Sequence, residues 1–551
     1  MMKLDSSKII DILLREHYVS EDDMARAKEY VKTHNVLITD YLLSEGIITK
    51  DLLGQAVAEA LDIVYADLNS HRATKDQVLR IPEDVAREFR VVLFSEDDSS
   101  ITIATDDPGK EGLSLKLKEV FPNKNIIIAY SLSDDVEAAF MHYRKPLETR
   151  FAKIIEEKKK IAPEIIDEMI QDALSHKASD IHFEPEESDV LIRFRVDGVL
   201  QEAGMIPKEY FENILNRIKV QAKLRIDEHN SAQDGSIRYK TDDGRKVDLR
   251  VSLVPTLNGE KIVIRVLAEY MRDLSLTNLG LSGQNQAMLE AAAKKPFGMI
   301  LVAGPTGSGK TTTLYALLKT INNPEINITT IEDPAEYKIP GISQIQINTN
   351  TNLTFSKGLR SIIRQDPDVI LVGEIRDEET AEIAVNAALT GHLLLSTFHA
   401  NDAATAIPRL LDMEVEPFLL ASTLELVIAQ RLIRKICEHC RVSLSRDDQS
   451  VQKGLSGIPD KFSDQIKNLY KGKGCHICGD TGYNGRTAVY EFINVTPEME
   501  NLILTNPSKQ ELWKLAREQG SISMFEDGLS KVSSGATTLE ELLRVALPPE
   551  E

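Results

Sequence analysis

The sequence predicts a multidomain α/β protein, and three observations support this fold class. At 551 residues the chain is too long for one hydrophobic core. Its first sixty residues contain an internal repeat that predicts paired helices. From about residue 275, strand-like and helix-like patterns alternate, which is typical of a parallel sheet covered by helices. We expect a helical repeat (1–62), a small α/β unit (63–145), a linker (146–162), an α+β domain (163–272) and a C-terminal α/β domain (273–551).

The composition excludes several classes of protein. Hydrophobic residues make up 42% of the chain and charged residues 27%, as in ordinary globular proteins. The net charge of −21 argues against a general nucleic-acid coat, which needs clustered Lys and Arg. No apolar run reaches the ~18 residues that cross a bilayer, and the start, MMKLDSSKII, lacks a signal-peptide core. We therefore expect a cytoplasmic protein with reduced thiols, whose role at a membrane is peripheral.

The N-terminal repeat has two copies. Residues 9–30 align with residues 38–59 at an offset of 29. Each copy predicts a helix, a turn, an N-cap and a second helix. The predicted turns are at His17 and Gly46, and the predicted N-caps are Ser20 and Thr49. Two copies bury little apolar surface alone, so we expect them to pack on each other.

The middle of the chain mixes strand and helix patterns. Up to about Tyr143, short β-rich runs (ITIAT, NIIIAY) alternate with helical ones and predict the small α/β unit. The charge-dense stretch 144–162 is either a linker or an exposed helix. Residues 163–270 contain an amphipathic helix and then strands such as VLIRFRVDG, VDLRVSLVP and KIVIRVL. The turns between these strands are expected at Gly235, Gly244 and Gly259.

A phosphate-binding loop follows the strand-like run MILVA. GPTGSGKT (304–311) matches the G-x-x-x-x-G-K-[ST] pattern, with a strand before it and a helix after it. Its glycines let the backbone turn N–H groups onto phosphate oxygens. Lys310 would reach the β and γ phosphates, and the Thr311 hydroxyl would bind Mg²⁺. The predicted nucleotide-binding residues are Gly304, Pro305, Thr306, Gly307, Ser308, Gly309, Lys310, Thr311 and Thr312.

Acidic and histidine residues follow three further strand-like runs. IEDPAEY places Glu332 at the end of a β-rich run, and Glu374 ends the apolar run of VILVGE. A carboxylate at a strand end beside a phosphate loop can hold Mg²⁺ through water or orient the attacking water. In TGHLLLSTFHAND, His392 precedes a strand and His399 follows it. A neutral imidazole can form a hydrogen bond with a γ-phosphate and lose this bond after hydrolysis. The alternative is that these acids are surface residues after buried strands, and that the two histidines are structural residues whose hydrogen bonds are made within the fold.

The four cysteines form two pairs, CEHC and CHIC. A C-x-x-C pair supplies two thiolates to one ion, so two pairs complete a closed tetrahedral zinc site. Four thiolates leave no open position, which excludes a catalytic zinc. The alternatives are a redox pair or unrelated buried cysteines. We expect Cys437, Cys440, Cys475 and Cys478 to form a structural zinc clasp on an insertion at 437–478.

These motifs together resemble a known family. The phosphate loop, IEDPAEY, VILVGEIRD and TGHLLLSTFHAN resemble, in order and spacing, the Walker A, Asp box, Walker B and His box of the secretion ATPases. These are the hexameric motors of type II secretion and type IV pilus assembly. SDIHFEP with IRFRVDG, and DLRVSLVPTLNGE with IVIRVL, resemble their second N-terminal domain. The resemblance implies a RecA-like P-loop ATPase domain with a zinc-binding insertion, preceded by an α+β, PAS-like domain.

The resemblance also implies residue roles. Glu332 becomes the Asp-box acid, Glu374 the Walker B acid, and His392 and His399 the His-box pair. Which glutamate positions the water stays open, with Glu374 as the first choice. Two arginines match those that approach the γ-phosphate, where fixed positive charge stabilises the transferring phosphoryl group. These are Arg250 and Arg265, and Arg193 and Arg195 are expected to be interfacial.

The function implied is that of a homohexameric motor bound to ATP, Mg²⁺ and Zn²⁺. It would power type IV pilus assembly at the inner face of the cytoplasmic membrane, through an inner-membrane platform protein. The alternative is a type II secretion pseudopilus ATPase. A DNA-uptake or conjugation motor and a dinucleotide-sensing adaptor are weaker alternatives. The family's retraction motors lack the tetracysteine region, so the four cysteines disfavour a retraction motor. No direct nucleic-acid binding is expected.

The N-terminal repeat resembles modules of this family, some of which bind cyclic di-GMP. In those modules an Arg-Leu-Gly triplet opens each half. Here the aligned triplets are Lys8, Ile9, Ile10 and Leu37, Ile38, Thr39, so both lack the glycine that lets backbone approach a ligand. We therefore expect a docking module for a membrane-bound partner, with cyclic di-GMP binding as the alternative.

Overall fold

The protein forms two compact units, Met1–Ala268 and Glu269–Glu551. The sequence places this division after residue 272. The computed structural model describes residues 6–16, 18–33, 38–44, 47–68, 71, 73–97, 99–143, 161–241, 246–267, 275–348, 351–444, 455, 458–463, 469–475, 478–479 and 481–549. Most of the predicted linker, and the predicted turn residues His17, Gly46 and Gly244, lie outside these residues.

The first unit begins with the predicted repeat of two helix pairs. The helices are α1 (Ser6–Arg15), α2 (Glu21–Thr33), α3 (Ile38–Ser44) and α4 (Lys50–Ala60). Helix α1 packs on α4 and α2 packs on α3, so the copies bury their apolar faces against each other. Equivalent residues in the two copies are fully buried: Leu13 with Leu42, and Ala27 with Ala56. The Thr49 hydroxyl caps α4 by accepting from the Leu52 N–H, as predicted.

A small α/β unit follows the repeat. Its elements are β1 (Val64–Tyr65), α5 (Lys75–Val78), α6 (Glu83–Phe89), β2 (Val91–Glu96), β3 (Ser100–Thr105), α7 (Leu113–Val120), β4 (Asn125–Tyr130), α8 (Ser133–Ala139) and a 3₁₀ turn, Phe140–Tyr143. The strands form a sheet in the order β1-β4-β3-β2. Strands β1, β4 and β3 are parallel, and β2 is antiparallel to β3.

The α+β domain is a six-stranded antiparallel sheet with two helices packed on it. Its elements are α9 (Ile161–Ser175), β5 (Asp180–Pro185), β6 (Asp189–Val196), β7 (Val199–Pro207), α10 (Lys208–Gln221), β8 (Gln233–Lys240), β9 (Lys246–Thr256) and β10 (Gly259–Leu267). The strand order is β7-β6-β5-β10-β9-β8. Apolar residues of both helices, such as Ile170 and Ile214, share one core with alternate strand residues.

One predicted turn glycine is part of a strand. Gly259 begins β10 after a turn, but Gly235 lies inside β8. A side chain at Gly235 would come within 2.5 Å of the Ala222 carbonyl oxygen. The prediction of a turn at Gly235 is therefore wrong, because this glycine permits close packing of the chain after α10 against β8.

The second unit is built on a seven-stranded sheet. Its first elements are a 3₁₀ turn (Leu276–Leu279), α11 (Gly283–Ala293), β11 (Gly298–Ala303), α12 (Lys310–Ile321), β12 (Ile328–Glu332), β13 (Ser343–Gln346), α13 (Phe355–Ile362), a 3₁₀ turn (Ile363–Gln365), β14 (Val369–Val372), α14 (Glu378–Leu389), β15 (Leu393–Phe398), α15 (Ala403–Leu411), α16 (Pro417–Thr423) and β16 (Leu424–Ile436). The later elements are β17 (Arg441–Leu444), α17 (Asp460–Ser463), β18 (Leu469–Gly472), β19 (Tyr483–Asn494), α18 (Pro497–Ile503), α19 (Lys509–Glu518), α20 (Met524–Ser533) and α21 (Leu539–Val545).

The sheet has the predicted parallel core. Its order is β13-β12-β14-β15-β11-β16-β19, and only the β16–β19 pair is antiparallel. All six residues of β11 are buried because helices cover both faces. Leu301 packs into the core on one face, and Ile300 and Val302 pack into the core on the other. Parallel strands end at the same edge, so the loops after β11, β14 and β15 lie side by side.

A buried glutamate fastens the last helix to the sheet. Glu541 on α21 accepts hydrogen bonds of 3.0 Å from both the backbone N–H and Nε of Arg434, and a bond of 2.6 Å from Arg544. The Arg434 guanidinium also lies 3.9 Å from the centre of the Tyr483 ring. Burial raises the pKa of Glu541, but its bonds to Arg544 and Arg434 outweigh this and lower the pKa. Glu541 therefore ties β16, β19 and α21 together.

Replacing Glu541 by glutamine is expected to lower the free energy of unfolding by about 3 kcal/mol at pH 7, because it leaves the Arg434 charge without its partner. The folded-state pKa is depressed, so this contribution is present above the unfolded pKa, and it is lost as the pH falls through the folded pKa. Urea denaturation followed by Trp513, the single tryptophan, measures the change. The control is Glu540→Gln at an exposed neighbour. Equal stability of the two variants at pH 7 would contradict the prediction.

Candidate functional site

The phosphate loop joins β11 to α12 at the carboxyl edge of the sheet. Gly307 and Gly309 have positive φ angles of 78° and 87°, which favour glycine. A side chain at Gly304 would come within 2.6 Å of the Gln430 carbonyl oxygen. Helix α12 begins at Lys310, so the N–H groups of its first turn are available at the loop. The loop has the backbone of an anion-binding cradle.

The Lys310 side chain folds back onto this loop. Its Nζ donates to the Gly304 carbonyl at 2.8 Å and to the Pro305 carbonyl at 3.0 Å. The residue is 9% exposed. Burial lowers the pKa of the Lys310 ammonium, and the charge of Glu374 opposes this effect. The ammonium group can therefore exchange carbonyl oxygens for phosphate oxygens without leaving the loop.

Glu374 and His399 meet beside the loop. Both residues follow the ends of neighbouring parallel strands, β14 and β15. The Glu374 Oε2 lies 3.3 Å from His399 Nε2, and its Oε1 lies 2.5 Å from Arg376. The hydrogen bond to Glu374 raises the pKa of Arg376. Glu374 is 9% exposed, whereas the His399 side chain is 44% exposed. The structure thus brings Lys310, Glu374 and His399 to one edge of the sheet.

Glu332 lies at the same edge, but its carboxylate already accepts hydrogen bonds from three neighbouring side chains. It accepts hydrogen bonds from the Tyr315 hydroxyl, from Thr330 Oγ1 at 2.5 Å and from Gln344 Nε2 at 3.3 Å. Burial and the Glu332 charge raise the pKa of Tyr315, which keeps its hydroxyl protonated as a donor. Because Tyr315 is on α12, Glu332 links strand β12 to the helix that follows the phosphate loop.

His392 lies at the other edge of the sheet. It precedes β15, and a six-residue strand spans about 20 Å. Its Nδ1 lies 2.8 Å from the Ala387 carbonyl oxygen, within hydrogen-bond distance. The structure does not bring His392 to the phosphate loop, and within this unit its contacts are those of a structural residue.

The four arginines that the sequence singles out in the α+β domain lie on three strands of its sheet, β6, β9 and β10. Arg265 on β10 is directly opposite Arg250 on β9, and its Nε donates to Asp180 at 3.2 Å. Arg195 lies 3.7 Å from the same carboxylate, and Arg193 forms an ion pair with Glu184. Cross-strand register therefore gathers Arg195, Arg265 and Arg250 in one row across the sheet.

Two functional contacts were not anticipated from the sequence. The Thr313 hydroxyl on α12 donates to Gln430 Oε1 at 2.7 Å, and a side chain at Gly309 would come within 2.8 Å of Gln430 Nε2. Gln430 thus braces the loop from β16. Arg376 lies two residues after Glu374, inside the same motif, but its contact with Glu374 depends on the turn after β14.

The loop residues fit a nucleoside triphosphate with Mg²⁺. The Ser308 Oγ is buried and has no hydrogen-bond partner among the described residues, so it can bind a phosphate oxygen. Lys310 would hold the phosphates, and the Thr311 hydroxyl and a carboxylate are the oxygen ligands that Mg²⁺ prefers. When bound, Mg²⁺ neutralises charge that develops on the phosphates.

The four cysteines come together as the spacing predicts. Their ligand atoms all lie within 4.8 Å of one another. The Sγ–Sγ distances are 3.8 Å (Cys437–Cys475), 3.9 Å (Cys440–Cys478) and 3.7 Å (Cys475–Cys478). A tetrahedral ion with bonds of about 2.3 Å places its sulfur atoms about 3.8 Å apart. The cluster can therefore hold a metal ion at the base of the segment between β16 and β19.

Replacing Cys437 by serine is expected to remove the bound metal and destabilise the segment between β16 and β19. Nucleotide affinity should change by less than about twofold, because Cys437 lies seven residues of extended chain, roughly 23 Å, beyond the residue of β16 that braces the loop. Elemental analysis measures the metal, and titration with a fluorescent ATP analogue measures affinity. Ser443→Ala, on β17 in the same segment, is the matched control. Loss of ATP binding from a folded Cys437→Ser protein would show that the clasp belongs to the nucleotide site.

The fold and the site define a class of protein. A parallel sheet with a phosphate loop after one strand (β11), and a carboxylate after the next strand but one (β14), is that of a P-loop ATPase. The comparisons identify the family. The family model described as "Type II/IV secretion system protein" matches residues 155–544, and the chain belongs to this family. The MshEN domain model matches residues 61–150.

The chain is similar to curated proteins of pilus assembly and type II secretion. It is 36% identical to the type IV pilus assembly ATPase PilB of Myxococcus xanthus, covering 98% of this chain and 99% of that protein. It is 39% identical to PilB of Thermus thermophilus over 92% of this chain, but spans only 58% of that relative. The type II secretion system protein E of Pseudomonas aeruginosa is 46% identical over 69% of this chain and 74% of that protein.

A solved structure supports the fold. The ATPase DotB of Legionella pneumophila superposes with a TM-score of 0.52 and 21% identity, covering 70% of this chain and 96% of that one. Among the described residues, no helix is long and apolar enough to span a membrane.

Proposed function

We propose that this chain is a cytoplasmic motor that hydrolyses ATP to power assembly of a type IV pilus. The observation that carries the motor function is the meeting of Lys310, Glu374 and His399 at one edge of the sheet. The likeness to PilB of Myxococcus xanthus extends over nearly the whole of both chains, and it supports the pilus as the assembled structure.

The roles of the site residues follow from their contacts. Glu374 orients the attacking water, because it is the carboxylate near Lys310, whereas Glu332 is occupied by three donors. His399 contacts Glu374 and forms a hydrogen bond with the γ-phosphate of bound ATP, so this bond is lost when ATP is hydrolysed. Glu332 and His392 have structural roles, because Glu332 links β12 to α12 and His392 contacts the Ala387 carbonyl near the end of α14. The phosphates bind along residues 304–312, with Mg²⁺ at Thr311.

The arginine row supplies positive charge to the transferring phosphoryl group. Arg250 and Arg265 are the members that match the family's arginines, and Asp180 orients Arg265. Fixed guanidinium charge is worth most where charge develops in the transition state. Turnover measured for Arg250→Ala and Arg265→Ala tests this role, and full activity of both variants would exclude it.

The assembly partners follow from the same proposal. The chain acts as a homohexamer at the inner face of the cytoplasmic membrane and passes motion to a membrane platform protein. The cysteine cluster binds Zn²⁺ and stabilises the segment between β16 and β19, which is the part of this unit proposed to contact the partner. The N-terminal helical repeat is a docking module. Micromolar binding of cyclic di-GMP to the full chain, measured by calorimetry, would replace docking with ligand sensing.

A type II secretion pseudopilus ATPase is the second candidate. The observation that favours it is the higher identity, 46%, to the type II secretion protein E of Pseudomonas aeruginosa, although over 69% of this chain. The two candidates share the ATPase site and differ in the structure that the motor assembles.

Deleting the gene in its own host distinguishes the two candidates. We expect the deletion strain to lose surface pili while the secretion of folded exoproteins continues. Re-expression of the wild-type chain should restore pili, and Glu374→Gln should not. Normal piliation together with a block in exoprotein secretion would exclude the pilus and establish the second candidate.

A further inference from the structure

A buried carboxyl group joins the starts of two helices in the second unit. Glu491 lies on β19 and is 6% exposed. Its Oε1 accepts a hydrogen bond of 2.8 Å from the N–H of Ala403, the first residue of α15. The backbone N–H of Met524, the first residue of α20, also faces this carboxyl group. The first N–H groups of a helix have no partner inside that helix, so this side chain lies where two helix starts present such groups.

Helix α15 is the helix that follows His399. Only three residues separate His399 from Ala403. Asp402 is the N-cap of α15, and its Oδ2 forms an ion pair of 2.7 Å with Lys509 on α19. From inside α15, Arg409 donates to the backbone carbonyl of His399. The backbone that carries His399 is therefore fastened to the start of this helix.

Glu491 is costly to bury. Burial raises its pKa to about 7, although the Ala403 N–H and the Lys509 charge act in the opposite direction. Lys509 forms its ion pair with Asp402, and the hydrogen bond that Glu491 accepts comes from the start of α15. A buried carboxyl group costs free energy that an apolar side chain would not. The geometry indicates that Glu491 orients the starts of α15 and α20.

We propose that Glu491 is a positioning residue for ATP hydrolysis: it holds the start of α15 so that His399 remains in contact with Glu374. The inference rests on the proposed ATPase function. It also connects the site to the rest of the unit, because β19 begins five residues after Cys478 and carries Glu491 as its ninth residue. A change at His399 after hydrolysis is then transmitted through α15 and Glu491 to β19 and α20.

The kinetics of two Glu491 variants test the proposal. We expect Glu491→Ala to lower kcat about tenfold, because loss of the helix anchor displaces His399. The KM for ATP should change by less than about threefold, since Glu491 contacts no substrate. Glu491→Gln keeps one acceptor oxygen for Ala403 and should recover kcat to within about threefold of the wild type. Wild-type kcat in Glu491→Ala would overturn the proposal.

A double-mutant cycle shows whether Glu491 acts through His399. If it does, adding Glu491→Ala to His399→Ala should lower kcat by no more than about twofold further. Independent roles would multiply the two losses, and that result would overturn the proposal. If Glu491→Ala does not fold, the cycle is made with Glu491→Met, which fills a similar volume but has no oxygen to accept from Ala403, under the same criterion. Glu541→Gln is the matched control, since it alters another buried carboxylate of this unit and should leave kcat unchanged.

Hydrogen exchange separates this inference from the proposed function. In the protein without nucleotide, the amides of residues 399–405 should exchange faster in Glu491→Ala than in the wild type. Unchanged exchange would overturn the inference even if the protein hydrolyses ATP. If the wild-type chain shows no turnover that depends on Lys310, the proposed function fails, whatever the exchange shows.

Discussion

Replacing Lys310 by alanine is expected to abolish ATP turnover, with kcat lowered at least about 100-fold. The Lys310 ammonium is held on the carbonyls of Gly304 and Pro305, inside the loop that would bind the phosphates. Alanine removes the only charged donor of the loop. ATP affinity should fall as well, because the lysine neutralises phosphate charge before and during the reaction. Phosphate release by the purified chain measures turnover.

The control for this prediction is Lys294→Ala, at an exposed lysine that directly follows α11 as its C-cap. It removes the same charge from the same unit, outside the loop, and should leave turnover unchanged. Trp513 fluorescence confirms that both variants are folded. Full activity of a folded Lys310→Ala protein would rule out hydrolysis at this loop.

Replacing Glu374 by glutamine is expected to lower kcat about 1,000-fold while ATP binding is kept. Glutamine preserves the size of the side chain and one oxygen for its neighbours, but it cannot accept a proton from water. It also removes the negative charge near Lys310, so ATP affinity should stay the same or rise. Turnover and the affinity for a fluorescent ATP analogue, measured on the same protein, separate the two effects.

Two further variants make the Glu374 result specific. Glu378→Gln changes an exposed glutamate at the start of α14 and should leave turnover unchanged. Glu332→Gln should lower stability through the lost bond to Tyr315, and kcat should fall less than in Glu374→Gln. A larger loss of kcat in Glu332→Gln would transfer the water-orienting role to Glu332.

The local parts of the site could be predicted from the sequence. A phosphate loop needs glycines and a lysine at defined spacing, and its backbone has the positive φ angles that such spacing implies. Two C-x-x-C pairs likewise predicted a cluster whose sulfur atoms lie at metal-binding distances. In both cases a few neighbouring residues carry the chemistry, so the pattern and the structure agree.

Contacts between distant segments could not be predicted in the same way. Two histidines seven residues apart share one motif, yet β15 places His392 and His399 at opposite edges of the sheet. Glu332 and Glu374 both follow buried strands, and only the packing of Tyr315 and Gln344 shows that Glu332 is already bound. Gly235 has the sequence signature of a turn but lies inside β8, because another segment packs against it.

The sequence by itself determined the class of chemistry: a nucleotide loop, acids after parallel strands and a metal-binding cysteine cluster. These depend on residue type and short spacing, which the chain carries wherever it folds. The tertiary structure alone decided which of these groups meet. Strand order and direction bring Glu374 to His399, and β19 brings Glu491 to the helix behind them. Those contacts join residues separated by 25 and 88 positions, and only the packed sheet defines their distances.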